Sequence, residues 1–277
     1  MLLTIQHTQL TTRDFVGQAG EIFAVFDART QDSGNVSYGI AGRSGRFFVK
    51  TAGSESGPAT VLPHTSRIAL LRNSIELHRS LSHPVLPALH NVIECSDGPA
   101  LVFDWVEGEL LGSPQSERLN PVSAYRQFRS LPPGRILPVL DQIIDLHFHL
   151  AAHDWIAVDF YDGSLLYDFS TEHIHVVDLD HYHRGPFVNR MGRMFGSTRF
   201  MAPEEFELGA TIDQCTTVFV LGRTIHELLS GHSPEALGRA VALLDVADRA
   251  CQPNRAARFP TVEVLHGEWN QARSRTA

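Results

Sequence analysis

The sequence predicts an α+β chain on three observations: alternating strand-like runs near the start, a 3.6-residue apolar rhythm later on, and a β-branched run that delivers two acids. Ile22-Phe23-Ala24-Val25-Phe26 and Val36-Ser37-Tyr38-Gly39-Ile40 read as two strands of a hairpin, joined by the turn-rich stretch from Asp27 to Asn35. Arg46-Phe47-Phe48-Val49-Lys50 alternates into a third strand. Thr65 to Ser82 places Ile68, Leu71 and Ile75 at near-helical offsets, and Pro84-Val85-Leu86 turns the chain back. Ser113 to Arg135, rich in Pro and polar residues, reads as a loop or short helix. Ile136 to Ala152 has the pattern of a buried helix, and Thr216 to Leu229 and Pro234 to Ala250 read as further helices. At 277 residues the chain is long enough for one large or two ordinary domains.

Asp159 opens the polar run Asp159-Phe160-Tyr161-Asp162-Gly163-Ser164, and a strand-like stretch then delivers Asp178-Leu179-Asp180. A loop acid followed by a strand-borne acid separates proton handling from metal holding. Moving a γ-phosphoryl group demands a positioned metal, a phosphate-neutralising cation and a carboxylate beside the acceptor hydroxyl. Asp178 and Asp159 supply two of these. Lys50, closing an apolar strand, is the only lysine in the chain, which sets it apart from solubilising surface charge. ATP chemistry is therefore the first expectation.

These residues give the chain a resemblance to the protein-kinase-like superfamily, the eukaryotic-type Ser/Thr kinases and related small-molecule kinases. Phe47-Phe48-Val49-Lys50 is similar to the strand-borne Val-Ala-Ile-Lys motif, Asp159 to the catalytic-loop Asp, Asp178 to the Asp of Asp-Phe-Gly, and Ala202-Pro203-Glu204 to Ala-Pro-Glu. Gly196-Ser197-Thr198-Arg199-Phe200-Met201 leads into that motif as an activation segment does. Arg258 stands where the family places the buried arginine that pairs with Glu204. The resemblance, to a divergent bacterial-type Ser/Thr kinase, runs from about residue 20 to about residue 265. It implies a bilobal fold: an N-lobe over 1–104 with an antiparallel sheet and one helix, and a mainly helical C-lobe over 105–277. It also implies that Lys50 contacts phosphate, that Asp178 with Asp180 or Ser164 holds Mg²⁺, and that Asp159 is the catalytic base. Ser33, Gly34, Asn35 and Val36 would cover the phosphates of ATP. Val102 to Gly108 resembles the hinge, so backbone groups of Asp104 and Val106 would meet adenine.

Departures matter as much as matches. Arg29 and Gln31 stand where the phosphate-covering loop usually has glycines. Counting back from His83-Pro84 puts Ser74 where the family has a glutamate that grips the lysine; Glu76, two residues on and roughly 200° around a helix, is the expected grip if the helix-to-turn connection is shortened. Ala157-Val158 replaces the catalytic-loop His-Arg, which removes the arginine that reads a phosphorylated activation loop. Ser164 replaces an asparagine ligand, although a hydroxyl binds Mg²⁺ in other nucleotide sites. The Asp-x-Asp form resembles aminoglycoside and choline kinase relatives.

A net charge of -8 with scattered basic residues gives no footprint for nucleic acid. Cys95, Cys215 and Cys251 are few and far apart, as expected of free thiols in a reducing compartment. With no basic leader and no bilayer-length apolar run, the protein is expected to be cytoplasmic and to avoid membranes. His147-x-His149 lies on a helix, where i, i+2 spacing splays the rings apart, whereas His181 and His183 are placed to flank the site. The expected acceptor is a protein Ser/Thr hydroxyl or a small hydroxylated metabolite, and a pseudokinase that binds nucleotide without transfer is the remaining alternative.

Overall fold

The computed structural model describes residues 1–29, 33–55, 62–112, 118 and 120–275. The chain divides into two compact units, Met1–Val106 and Glu107–Ala277. It is a mixed α and β protein.

In the first unit, helix α1 (Thr12–Ala19) precedes strands β1 (Glu21–Phe26), β2 (Val36–Gly42) and β3 (Gly45–Thr51). Helix α2 (His64–Ser80) and strands β4 (Leu89–Cys95) and β5 (Gly98–Asp104) follow. The strands form one antiparallel sheet in the order β1-β2-β3-β5-β4. Alternation along β3 sends Phe47 and Val49 to one face, and Phe48 and Lys50 to the other. The first face packs on Phe15 and Val16 of α1 and on Leu2. The second packs on Leu71 and Ile75 of α2, together with Leu101 and Phe103.

The expectation of one helix in this unit is corrected to two. Thr11 caps α1 by accepting the Asp14 N–H at 3.1 Å, and Asp97 accepts the Thr12 N–H at 2.7 Å. Eight residues are too few to show an apolar rhythm, so only the Thr11-x-x-Asp14 cap signals the helix.

The second unit is built on α4 (Pro133–Ala152) and α5 (Gln214–Leu229), with the shorter α3 (Ala124–Arg129) ahead of them in sequence. Asp213 starts α5 by accepting the Cys215 N–H at 2.8 Å. The final helix, α8 (Val262–Ser274), is tied to α4 through Asp141, which accepts Trp269 Nε1–H at 2.7 Å and Arg273 Nη2–H at 2.8 Å. Short strands fill the space between helices. β6 (Glu109–Leu110), β8 (Leu165–Asp168) and β9 (His173–Val176) form one sheet, β7 (Trp155–Ile156) pairs with β10 (His183–Arg184), and β11 (Phe187–Val188) with β12 (Thr211–Ile212). The helix expected from Pro234 to Ala250 is interrupted: α6 (Pro234–Leu237) and α7 (Ala242–Ala250) flank a 3₁₀ turn. Gly238, at φ +54°, breaks the run. Of the stretch expected to be loop or short helix, 113–117 and 119 lie outside the described residues.

Among the described residues no helix is long and apolar enough to cross a membrane. The three cysteines are free thiols, with Cys215 buried.

Candidate functional site

The first unit holds the expected phosphate-contacting residues. Lys50 is 8% exposed on the α2-facing side of its sheet. On α2 the residues Ile68, Leu71, Ile75 and His78 continue one stripe, and the His78 ring meets Phe103 edge-on at 4.9 Å between centroids. Burial, and then the Lys50 charge, push the His78 pKa down to about 4, so the imidazole is neutral at pH 7. Glu76 is exposed and, among the described residues, makes no ion pair with Lys50. The expectation that Glu76 grips Lys50 is thus corrected. Position 76 is one step past the buried stripe, about 100° around the helix, and Ser74 is buried but uncharged.

Ser33, Gly34, Asn35 and Val36 form a pinned turn. Ser33 Oγ accepts the Asn35 N–H at 3.2 Å, Gly34 sits at φ +82°, and the Val36 carbonyl accepts Thr51 Oγ1–H at 2.7 Å. Arg67, from the first turn of α2, donates to the carbonyls of Gly34 and Ser54. Gly53 has φ +65°, and a Cβ there would lie 2.5 Å from the Gly34 carbonyl, so only glycine permits the close approach. Of the two residues standing in for glycines, Arg29 is an exposed partner of Asp27 and Gln31 lies outside the described residues.

At the end of β5 the Asp104 N–H donates to the Ala88 carbonyl at 3.1 Å, and its carboxylate meets His90 Nε2 at 2.5 Å. Val106, by contrast, makes no backbone hydrogen bond among the described residues. Beside them lies an aromatic group. The Arg46 guanidinium lies 4.4 Å from the Phe23 ring and 5.0 Å from the Trp105 ring, two rings that meet edge to face at 4.7 Å, and Phe26 lies near-parallel to Trp105 at 6.3 Å.

The second unit holds the acids. Asp159 and Asp178 both have φ +60°, and with Asp154 and Glu172 they are the non-glycine residues with positive φ among those described. That conformation is costly for a side chain with a Cβ, and it clusters at functional sites. Asp159 Oδ2 lies 3.9 Å from His181 Nε2. Gly196, at φ +128°, backs onto the same carboxylate: a Cβ there would lie 3.5 Å from Asp159 Oδ1. Ser164 ends a 3₁₀ turn, and its carbonyl accepts the Val177 N–H at 2.9 Å, which brings it beside the Asp178 segment. Ser164 and Asp180 are both buried.

Among the described residues no group of three or more His, Cys, Asp or Glu side chains is arranged to hold a metal. Two carboxylates and a hydroxyl still fit Mg²⁺, which takes hard oxygen donors and is held by one or two carboxylates plus substrate phosphates. Under the acids, His147 of α4 bonds the Ile143 carbonyl at 2.7 Å and the Tyr182 hydroxyl at 2.8 Å, so this helix histidine is a packed, hydrogen-bonded strut.

The segment after Gly196 is fastened by buried charge. Glu204 meets Arg258 through two hydrogen bonds of 2.7 and 3.0 Å, as expected for that pair. It also accepts Arg255 Nη1–H at 2.6 Å and Thr216 Oγ1–H at 2.9 Å. Burial works to raise the Glu204 pKa, but the Arg258 hydrogen bonds prevail and lower it. Arg199 bridges Asp162 and Glu227, the latter at 2.7 Å. Glu205 accepts the Ala202 N–H at 2.7 Å, and burial pushes its pKa up to about 8.

Sequence reasoning missed His78, Arg67, Arg255, Arg199 and Glu205. Only His78 left a signal, as the next step of the stripe after Ile75. Comparison with models of protein families and with curated proteins gives no match for this chain.

Proposed function

We propose that this chain is an ATP-dependent phosphotransferase with a bilobal, protein-kinase-like fold, transferring the γ-phosphoryl group of Mg·ATP to a hydroxyl, most simply that of a Ser/Thr side chain. The observation that carries the reading is the left-handed backbone at both Asp159 and Asp178, the two acids the sequence singles out. A single buried lysine on a five-stranded antiparallel sheet and the Glu204–Arg258 pair support it.

In this mechanism Lys50 neutralises the α and β phosphates, and the amides of the Ser33–Asn35 turn lie over them. Backbone groups of Asp104 and Val106 bond adenine. Asp178, with Asp180 or Ser164, would hold Mg²⁺, which supplies charge neutralisation at the transferring group. Asp159 orients the acceptor hydroxyl and takes its proton on a carboxylate oxygen.

A second reading, nucleotide binding without transfer, is favoured by one observation. The α2 side chain beside Lys50 is a neutral imidazole instead of a carboxylate. Two measurements separate the readings. At a hundredfold excess over its dissociation constant, Mg·ATP should add about 2.7 kcal/mol of stability, seen as a metal-dependent thermal shift. Labelled γ-phosphate should then reach a protein acceptor with wild type and fail to do so with Asp159→Asn, which keeps the shift. A shift without transfer selects the second reading, and the absence of any shift overturns both.

A further inference from the structure

From His181 to Pro203 the chain runs 23 residues with four arginines and no acid, although its net charge is -8. One of the four is neutralised locally: Arg199 is held by Asp162 and Glu227. Arg184 is exposed on β10, which pairs with β7. Arg190 and Arg193 follow β11. Both are exposed, and among the described residues neither has a carboxylate partner; Arg193 donates only to the carbonyls of Met194 and Gly196.

Exposed apolar side chains lie on the same segment and on the turn bonded to it. Val188, Met191, Phe206 and Leu208 are each between 43% and 70% exposed. They belong to one surface because Asn189 knots their two turns together. Its N–H donates to the Ala210 carbonyl at 2.9 Å, its carbonyl accepts the Gly209 N–H at 2.7 Å, and its side-chain amide donates to the Gly192 carbonyl at 2.6 Å. In the β11–β12 ribbon, Phe187 and Ile212 turn inward to the cluster with Ile156, Val158, Met194 and Met201, so Val188 turns outward. Glu207 is an acid on the same turn, which leaves the two arginines in excess. The Met194 N–H donates to the Glu205 carbonyl at 2.9 Å, and two residues on, Gly196 backs onto Asp159.

We propose that this face docks an acidic polypeptide segment bearing apolar side chains, and that this segment belongs to the acceptor of the phosphoryl transfer. Scattered apolar exposure is ordinary, but four such side chains on turns knotted together with two arginines in excess over one acid match the composition of a binding centre. A small metabolite has too little surface to cover them. Nucleic acid draws its affinity from many phosphate contacts, and two cations supply few. The name "acceptor" rests on the phosphotransferase reading, whereas the docking itself does not.

The test uses the full chain without nucleotide and a fluorescent Ser-containing peptide in which Glu and Asp alternate with Leu and Phe. Two controls replace its acids by Lys or its apolar residues by Ser. Anisotropy should report binding of the first peptide only, weakened by salt. Arg190→Glu with Arg193→Glu, and separately Met191→Ser with Leu208→Ser, should each raise Kd by about tenfold or more, the loss expected when central interface contacts are removed. These are surface changes, so the thermal midpoint and the Mg·ATP shift should stay at wild-type values. That keeps a failure here distinct from a failure of the nucleotide reading. Absence of binding, equal binding of the Lys peptide, or displacement by oligo-dT overturns the proposal. So does a concentration-dependent dimer in sedimentation that Leu208→Ser dissolves, since the occupant is then a second copy.

Discussion

Arg258 and Arg67 are buried to nearly the same degree, one in each unit, yet they are satisfied in opposite ways. Arg258 is met by the two oxygens of a buried carboxylate, with Arg255, Asp213 and Thr216 completing the network. Arg67 meets only carbonyls among the described residues, and burial lowers its pKa. The difference separates two uses of charge. A charge matched by countercharge fastens a segment, as Glu204 fastens the stretch after Gly196. A cation satisfied by neutral dipoles positions the backbone while its charge stays uncancelled, and it does so at the Ser33–Val36 turn. His78, on the α2 stripe, is kept neutral by burial and then by the Lys50 charge.

Breaking the matched pair should have the largest effect. Glu204→Ala leaves a buried guanidinium uncompensated and should cost about 3–5 kcal/mol in urea denaturation. A loss under 1 kcal/mol, roughly the worth of an exposed pair, would erase the contrast. Arg67→Met should cost about 1.5–3 kcal/mol, the scale of hydrogen bonds to a charged group, and should loosen the turn at Gly34, seen as faster amide exchange at Asn35.

Two titrations sharpen the comparison further, with opposite signs. The Glu205 pKa is raised from 4.5 to about 8, so its contribution to stability is complete below 4.5 and is lost as pH rises through about 8. Glu205→Gln should flatten a slope of about 1.4 kcal/mol per pH unit across that window. The His78 pKa is lowered from 6.5 to about 4, so its contribution is complete above 6.5 and is lost as pH falls through about 4. His78→Phe should remove that acid limb. The smallest effect belongs to Glu76→Ala, which should change stability by about 0.5 kcal/mol or less and leave any nucleotide-induced shift intact.

The parts of the fold that could be read from sequence are those with enough residues to show a period. β2 and β3 alternate, and α4 and α5 keep their apolar stripes across sixteen residues or more. Helix α1 is too short for that test, and β4 was hidden because His90, Asn91 and Glu94 break its apolar run. Gly238 was visible in the sequence, but glycine is tolerated in helices often enough that its positive φ was not. At the candidate site, the spacing of acids and lysine pointed to Asp159, Asp178 and Lys50. Glu76 was carried as the acid nearest in sequence to Ser74, the position the count gives, but nearness in sequence does not put it on the buried stripe. Backbone strain at the two acids leaves no mark in composition, and Arg255 belongs to no motif that would set it apart from the other arginines.

Lys50 gives the molecule a built-in reporter of local opening. A protease specific for lysine has a single scissile bond in this stretch of chain, and it lies inside β3 with strands on both sides. Cleavage into two fragments therefore counts the moments at which the centre of the sheet comes apart, and a bound ligand that holds it shut would slow the clock.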